Sequence, residues 1–249
     1  MSGHSKWATI KRKKAVTDSR RGKLFTQLIK EITIAAKAGG GDPAGNPRLR
    51  LAIDKGKAAN MPADNIKRAV QKGTGELPGV SYEEITYEAY GPGGTAIIIE
   101  VVTDNKNRAI AELRHILERT GGKLGASGSV AYMFHKKGHI RVPAAGRTED
   151  DVLAVVLDAG ADDLTLDGDM FEIVTSIESF EPVKKALEAA HIPIDDAELS
   201  MVPETTVKVE GAEAEKVLKL IEALEDHDDT QHVYANFDID EKLLASFGS

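Results

Sequence analysis

The spacing of apolar residues changes period once along this chain, at the turn-rich residues 73–80 (GTGELPGV), and that change limits the folds open to it. Upstream, Leu24, Phe25, Leu28, Ile29, Ile32 and Ala36 recur at helical spacing until Gly39-Gly40-Gly41. Asn46-Pro47 reads as the cap and first-turn proline of a second helix with Leu49, Ala52 and Ile53 inward. Met61-Pro62 opens a third, with Ile66, Ala69 and Val70 inward and Gly73 as its stop. None of three such short helices buries its stripe alone, so a small bundle is expected.

Downstream, strands dominate. Residues 82–90 and 95–103 flank Gly91-Pro92-Gly93-Gly94 as a hairpin whose second strand is apolar enough to be buried on both faces. A helix capped at Asp104/Asn105 turns Ala109, Ile110, Leu113, Ile116 and Leu117 inward and ends at Gly121-Gly122, and 130–134 reads as a strand. Residues 139–202 then spell strand (139–142), helix (149–159), strand, an Asp167-Gly168 turn, strand (171–175), helix (181–190), strand (198–202), the ferredoxin-like order. Strand 205–210, helix 212–224 and strand 231–239 supply the half-unit that 95–134 lacks. The expected fold class is α+β: an N-terminal three-helix domain followed by two ferredoxin-like α+β domains, the third inserted into the second. The expected divisions are a flexible basic arm (1–21), a helical basic domain (22–76), an α+β domain (77–135 plus 204–249) and an inserted α+β domain (136–203).

Charge follows the same divide. Residues 1–76 hold 17 Lys and Arg against 6 Asp and Glu, while the remainder holds 15 against 34. A basic module on an acidic body is a statement about partners, and this one is suited to phosphate. No run of apolar residues approaches the roughly 20 needed to cross a bilayer, the longest being 95–103 with Glu100 inside it, so no membrane segment is expected. The chain has no cysteine, which removes disulfides, thiolate chemistry and Cys-based metal sites.

Several motifs carry less than their spelling suggests. Gly91-Pro92-Gly93-Gly94-Thr95-Ala96 matches the dinucleotide fingerprint but precedes a strand, so a hairpin turn is expected there. Gly125-Ala126-Ser127-Gly128-Ser129 is no nucleophile elbow, and Gly122-Lys123-Leu124-Gly125 lies between a helix and a strand rather than between two helices. His135 and His139 lack a third ligand, and His227-Asp228-Asp229 reads as a solvated acidic turn. No catalytic, metal or cofactor site is expected, nor a small-molecule substrate. Trp7, the one tryptophan, sits among cations, either to stack on a base or to pack on the bundle.

Gly3-His4-Ser5-Lys6-Trp7, Ile10-Lys11, Arg21-Gly22-Lys23, Gly40-Gly41-Asp42-Pro43, Asn46-Pro47, Asn60-Met61-Pro62, Tyr87-Glu88, Tyr90-Gly91-Pro92-Gly93-Gly94, Thr103-Asp104-Asn105, Asn107-Arg108, Gly121-Gly122 and Gly128-Ser129-Val130 resemble the YebC/PmpR family, to which a mitochondrial translational activator of cytochrome oxidase also belongs. Thr9, Ala89 and Ala109 depart from the family pattern, and none of them removes a positive charge. The resemblance implies three domains and a cytoplasmic DNA-binding transcriptional regulator. It also leaves an alternative, a ribosome-associated translation factor that contacts ribosomal RNA and relieves stalling.

Non-enzymatic binding of DNA, or of ribosomal RNA in the ribosome, is therefore expected. Flexible phosphate contacts would come from Lys6, Lys11, Arg12, Lys13, Lys14, Arg20, Arg21 and Lys23, with Trp7 among them. Ordered contacts would come from Arg48, Arg50, Lys55, Lys57, Lys67 and Arg68. The sequence leaves the oligomeric state open, with a monomer favoured because there is no long exposed heptad pattern.

Overall fold

The computed structural model describes Trp7, residues 18–240 and Leu243–Leu244, with backbone alone for 18–21. The chain forms two compact units, one from residues 1–131 with 206–249 and the other from 132–205.

In the first unit, helices α1 (Asp18–Gly39), α2 (Pro47–Ala58) and α3 (Ala63–Thr74) share a core of Leu28, Ile32, Ala36, Leu49, Ala52, Met61 and Ala69. Asn46 joins two of them. Its Oδ1 accepts from the Leu49 N–H at 3.1 Å, capping α2, and its Nδ2 donates to the carbonyls of Ala35 (2.8 Å) and Gly40 (2.9 Å) at the end of α1. Gly73 does not end α3, which runs on to a left-handed Gly75. It lies where α3 crosses α1: a Cβ there would stand 2.4 Å from the Thr33 carbonyl oxygen and 2.7 Å from Ala36 Cβ. The glycine is read by packing, not by capping.

Strands β1 (Glu83–Tyr90) and β2 (Ala96–Thr103) form the expected hairpin, closed by the pair Tyr90–Ala96. Ile97, Ile98 and Ile99 are completely buried, so β2 is covered on both faces, each such side chain contributing about 1.5–3 kcal/mol over its exposed state. Helix α4 (Lys106–Thr120) starts at the Asn105 cap and stops at a left-handed Gly121. The strand that follows is the two-residue β3 (Lys123–Leu124); residues 131–133 form a 3-10 turn where a strand was expected.

The second unit is β4 (Phe134–Pro143), α5 (Glu149–Val156), β5 (Ala161–Asp167), β6 (Met170–Thr175), α6 (Ile177–Ala189) and β7 (Asp196–Pro203). Its sheet order β5-β6-β4-β7, antiparallel throughout, is the ferredoxin-like arrangement. β4 is one ten-residue strand instead of two short ones. The polar His135–Gly138 stretch hides its continuity, and Gly138 fits because Thr175 and Phe180 fill the place of its side chain, a Cβ there meeting them at 2.3 and 2.5 Å. α6 begins at a Ser176 cap, ahead of Pro182, four residues before its expected start.

Returning to the first unit, β8 (Val207–Lys208), α7 (Gly211–Glu225), β9 (Thr230–Ala235) and β10 (Phe237–Asp238) complete it. The sheet order is β3-β1-β2-β9, the same spatial pattern as in the second unit, but the place of the third strand is taken by β1, which precedes the others in sequence. The strand expected to fill it at 205–210 pairs in parallel with β10. Ile97, Ile99 and Val101 of β2, Leu113 and Leu117 of α4, Leu220 and Leu224 of α7 and Val233 of β9 make one buried cluster.

Candidate nucleic-acid interface

The cations that sequence places on one basic surface fall into three groups. Lys6, Lys11, Arg12, Lys13 and Lys14 lie outside the described residues. Arg20 and Arg21 belong to the first turns of α1, where an arm was expected, and their side chains are likewise outside. Trp7 is 1% exposed and part of the cluster between β2, α4 and α7. Packing is thus its role here, on the sheet core rather than on the helical bundle, and its ring presents no face to a base.

The second group is engaged within the unit. Lys23, Gln27 and Lys30 recur at i, i+4 and i+7 on α1 and face the turn between α7 and β9. The Lys23 ammonium donates to the Glu225 carbonyl (2.7 Å), with Asp226 at 3.7 Å. The Gln27 amide donates to the Thr230 carbonyl (2.8 Å). Lys30, 6% exposed, donates to the Asp228 carbonyl (2.8 Å) and to Asp229 Oδ1 (2.7 Å). Asp229 Oδ2 accepts from Thr103 Oγ1 and from Arg108 Nη2, each at 2.8 Å. Burial pushes the Asp229 carboxyl up, but the hydrogen bonds from Lys30, Arg108 and Thr103 outweigh it and hold the pKa at about 2. The expected solvated turn is therefore, at Asp229, a buried acceptor for two cations and a hydroxyl.

Arg48 is held similarly. Its guanidinium forks onto Glu31 (2.8 and 3.1 Å) and onto Glu84 of β1 (2.9 and 2.7 Å). Burial lowers its pKa, and the bonds to Glu84 and Glu31 more than offset that and raise it. Arg50 donates to the Pro43 carbonyl (3.1 Å) and Lys55 is half-buried. Lys57 is exposed, with Asp54 at 3.9 Å.

The third group is open. Lys67 and Arg68 are exposed on α3 and make no ion pair or side-chain hydrogen bond among the described residues.

The glycine-rich loops are not phosphate cradles. The loop at 91–95 closes directly into β2. In the loop at 125–131, the N–H groups of Gly128 (2.5 Å), Val130 (2.6 Å) and Ala131 (2.8 Å) donate to the carboxylate of Glu88, which is 7% exposed. Burial raises the Glu88 pKa, and these backbone bonds lower it further than burial raises it. The anion in this loop is the chain's own, a pairing invisible from spelling alone. His135 and His139 share one face of β4, about 13 Å apart along the strand, too far to ligate one ion. Among the described residues no group of three or more His, Cys, Asp or Glu is placed to hold a metal. The same face of the second unit's sheet carries Lys137, Arg141, Glu172, Glu198 and Ser200 beside those two histidines, with no Phe, Tyr or Trp from β4, β6 or β7.

Two family models cover the chain: "TACO1/YebC protein N-terminal domain" over residues 5–76 and "TACO1/YebC second and third domain" over 82–237. The chain belongs to the TACO1/YebC family. A probable transcriptional regulatory protein of Chlorobaculum parvum is 58% identical over 247 residues, covering 99% of this chain and 98% of that one. Another, of Chlorobaculum tepidum, is 58% identical over 246 residues and covers 98% of each. The crystal structure of a conserved hypothetical protein from Aquifex aeolicus, 46% identical, superposes with a TM-score of 0.82 over 90% of this chain and 92% of its own. The fold is therefore the α+β TACO1/YebC fold, a helical region followed by two sheet domains. No helix among the described residues is long and apolar enough to cross a membrane.

Proposed function

We propose that this protein is a non-enzymatic, cytoplasmic transcriptional regulator that binds duplex DNA through its basic N-terminal region. The observation that carries the reading is the pair of open cations on α3, Lys67 and Arg68, in a segment where basic residues outnumber acidic ones by 17 to 6. Such cations release counterions from the nucleic-acid backbone, giving affinity that falls steeply with salt. The relatives' names point to regulation of transcription. Lys6, Lys11, Arg12, Lys13, Lys14, Arg20 and Arg21 are the further contacts in this reading, whereas Lys23 and Arg48 act within the fold.

Equilibrium titration of labelled duplex DNA with the full chain, repeated across a salt series and followed by electrophoresis of the recovered DNA, tests both halves. The expected result is salt-dependent binding that leaves the DNA intact. Absence of binding at any salt would reject the DNA partner, and cleavage or modification would reject the non-enzymatic role.

A further inference from the structure

We propose that the outer strip of α3 is where the DNA backbone seats, and that Lys72, outside the cations singled out by sequence, is a phosphate contact in it. This rests on the DNA-binding reading above. The neighbouring cations are divided by what they already hold. Lys23, Lys30 and Arg48 are spent on carbonyls and carboxylates of their own unit, and phosphate could reach them only by displacing charge-assisted bonds. Lys67, Arg68 and Lys72 are exposed and make no ion pair or side-chain hydrogen bond among the described residues. Asp64, in the first turn, is the single acidic residue of that helix.

Geometry adds a reason for Lys72. It follows Arg68 by four residues, so the two stand on one side of α3 a turn apart, about 6 Å along the axis. The chain beyond α3 folds back on it: the Gly75 N–H donates to the Lys72 carbonyl (3.3 Å) and the Leu77 N–H to the Gln71 carbonyl (3.1 Å). This brings Gly79 against the Lys72 stem, where an added Cβ would lie 3.2–3.6 Å from its Cδ, Cγ and Cε. The stem is confined while its ammonium stays exposed, so less side-chain freedom is lost on meeting a phosphate. Arg68 and Lys72 on one side of α3 and Lys67 on the adjoining one, against Asp64 in the first turn and Glu76 on Thr74 at its end, leave a cation excess that fits a polyanion tracked along its backbone, without demanding a particular base sequence.

Fluorescence anisotropy of labelled mixed-sequence DNA duplexes, titrated with the full chain over a salt series, tests this. The Lys72→Gln variant is expected to reduce the slope of log affinity against log salt by about 0.9, alike for unrelated duplexes. Lys216→Gln, which removes one exposed lysine from α7, is expected to leave the slope unchanged. An unchanged slope in Lys72→Gln, with wild-type binding intact, overturns the assignment of Lys72 and leaves DNA binding standing. An equal loss in Lys216→Gln overturns it too, because net charge then accounts for the effect. Tighter, Lys72-dependent binding to an RNA of the same length overturns DNA as the occupant. If the wild type binds no duplex, the underlying reading falls as well.

Discussion

Lys30 and Asp229, 199 positions apart in the chain, stand 2.7 Å apart from Nζ to Oδ1, with side chains only 7% and 6% exposed. The pair fixes the helical segment to the turn before β9. Removing Lys30 takes away the cation on Asp229 Oδ1 while Arg108 and Thr103 still hold Oδ2, so the cost is that of one lost charge-assisted bond in a buried network, about 1–3 kcal/mol. Lys30→Met is therefore expected to lower unfolding stability by about 1–3 kcal/mol in a urea titration, and Lys30→Met/Asp229→Leu to lower it further, because the second change also takes the acceptor from Arg108 and the buried Thr103.

The same carboxylate gives the fold an acid limit. Its pKa falls from 3.8 to about 2 on folding, so the stability it contributes is complete above the unfolded value and is lost as pH drops through the folded one. Wild type is expected to lose stability between pH 4 and 2 more steeply than Asp229→Asn, which lacks this titration. Thermal unfolding across that window checks it, and parallel curves would contradict it.

Glu88 holds the loop at 125–131 through three backbone N–H groups. Glu88→Gln keeps one acceptor oxygen and turns an amide toward donors, so about 1–3 kcal/mol of stability should go. Faster hydrogen exchange at the amides of Gly128, Val130 and Ala131 is the local sign expected.

Gly73→Ala opposes two effects. Alanine favours a helix by about 1 kcal/mol, but its Cβ would collide with the Thr33 carbonyl and Ala36. Overpacking of this kind costs about 1–3 kcal/mol, so net destabilisation is expected by urea unfolding.

These residues also mark what the sequence reveals. Asn46, Asn105 and the Gly168 turn act on neighbours within a few positions, and their elements stand where local spacing puts them. Lys30 and Asp229 are joined across most of the chain; the only local sign was a polar stripe at Lys23, Gln27 and Lys30 beside an acidic turn, easily mistaken for solvated charge. The hairpin of β1 with β2 was legible from its turn, but the pairing of β1 with β3, which puts it in the third-strand place, was hidden for the same reason as the ion pair. Burial of Trp7 was equally hidden, because its charged surroundings in sequence say nothing of the sheet core it enters. In the candidate interface, composition located the basic module, but only packing separates Lys67 and Arg68 from Arg48, whose charge is met by Glu31 and Glu84.

The most direct measurement is amide hydrogen exchange of the full chain with and without a duplex DNA at low salt. Slower exchange in α2 and α3 on adding DNA, with residues 149–203 unchanged, is the expected result. Protection confined to the second unit, or none despite measured binding, would contradict the placement of DNA on the helical region.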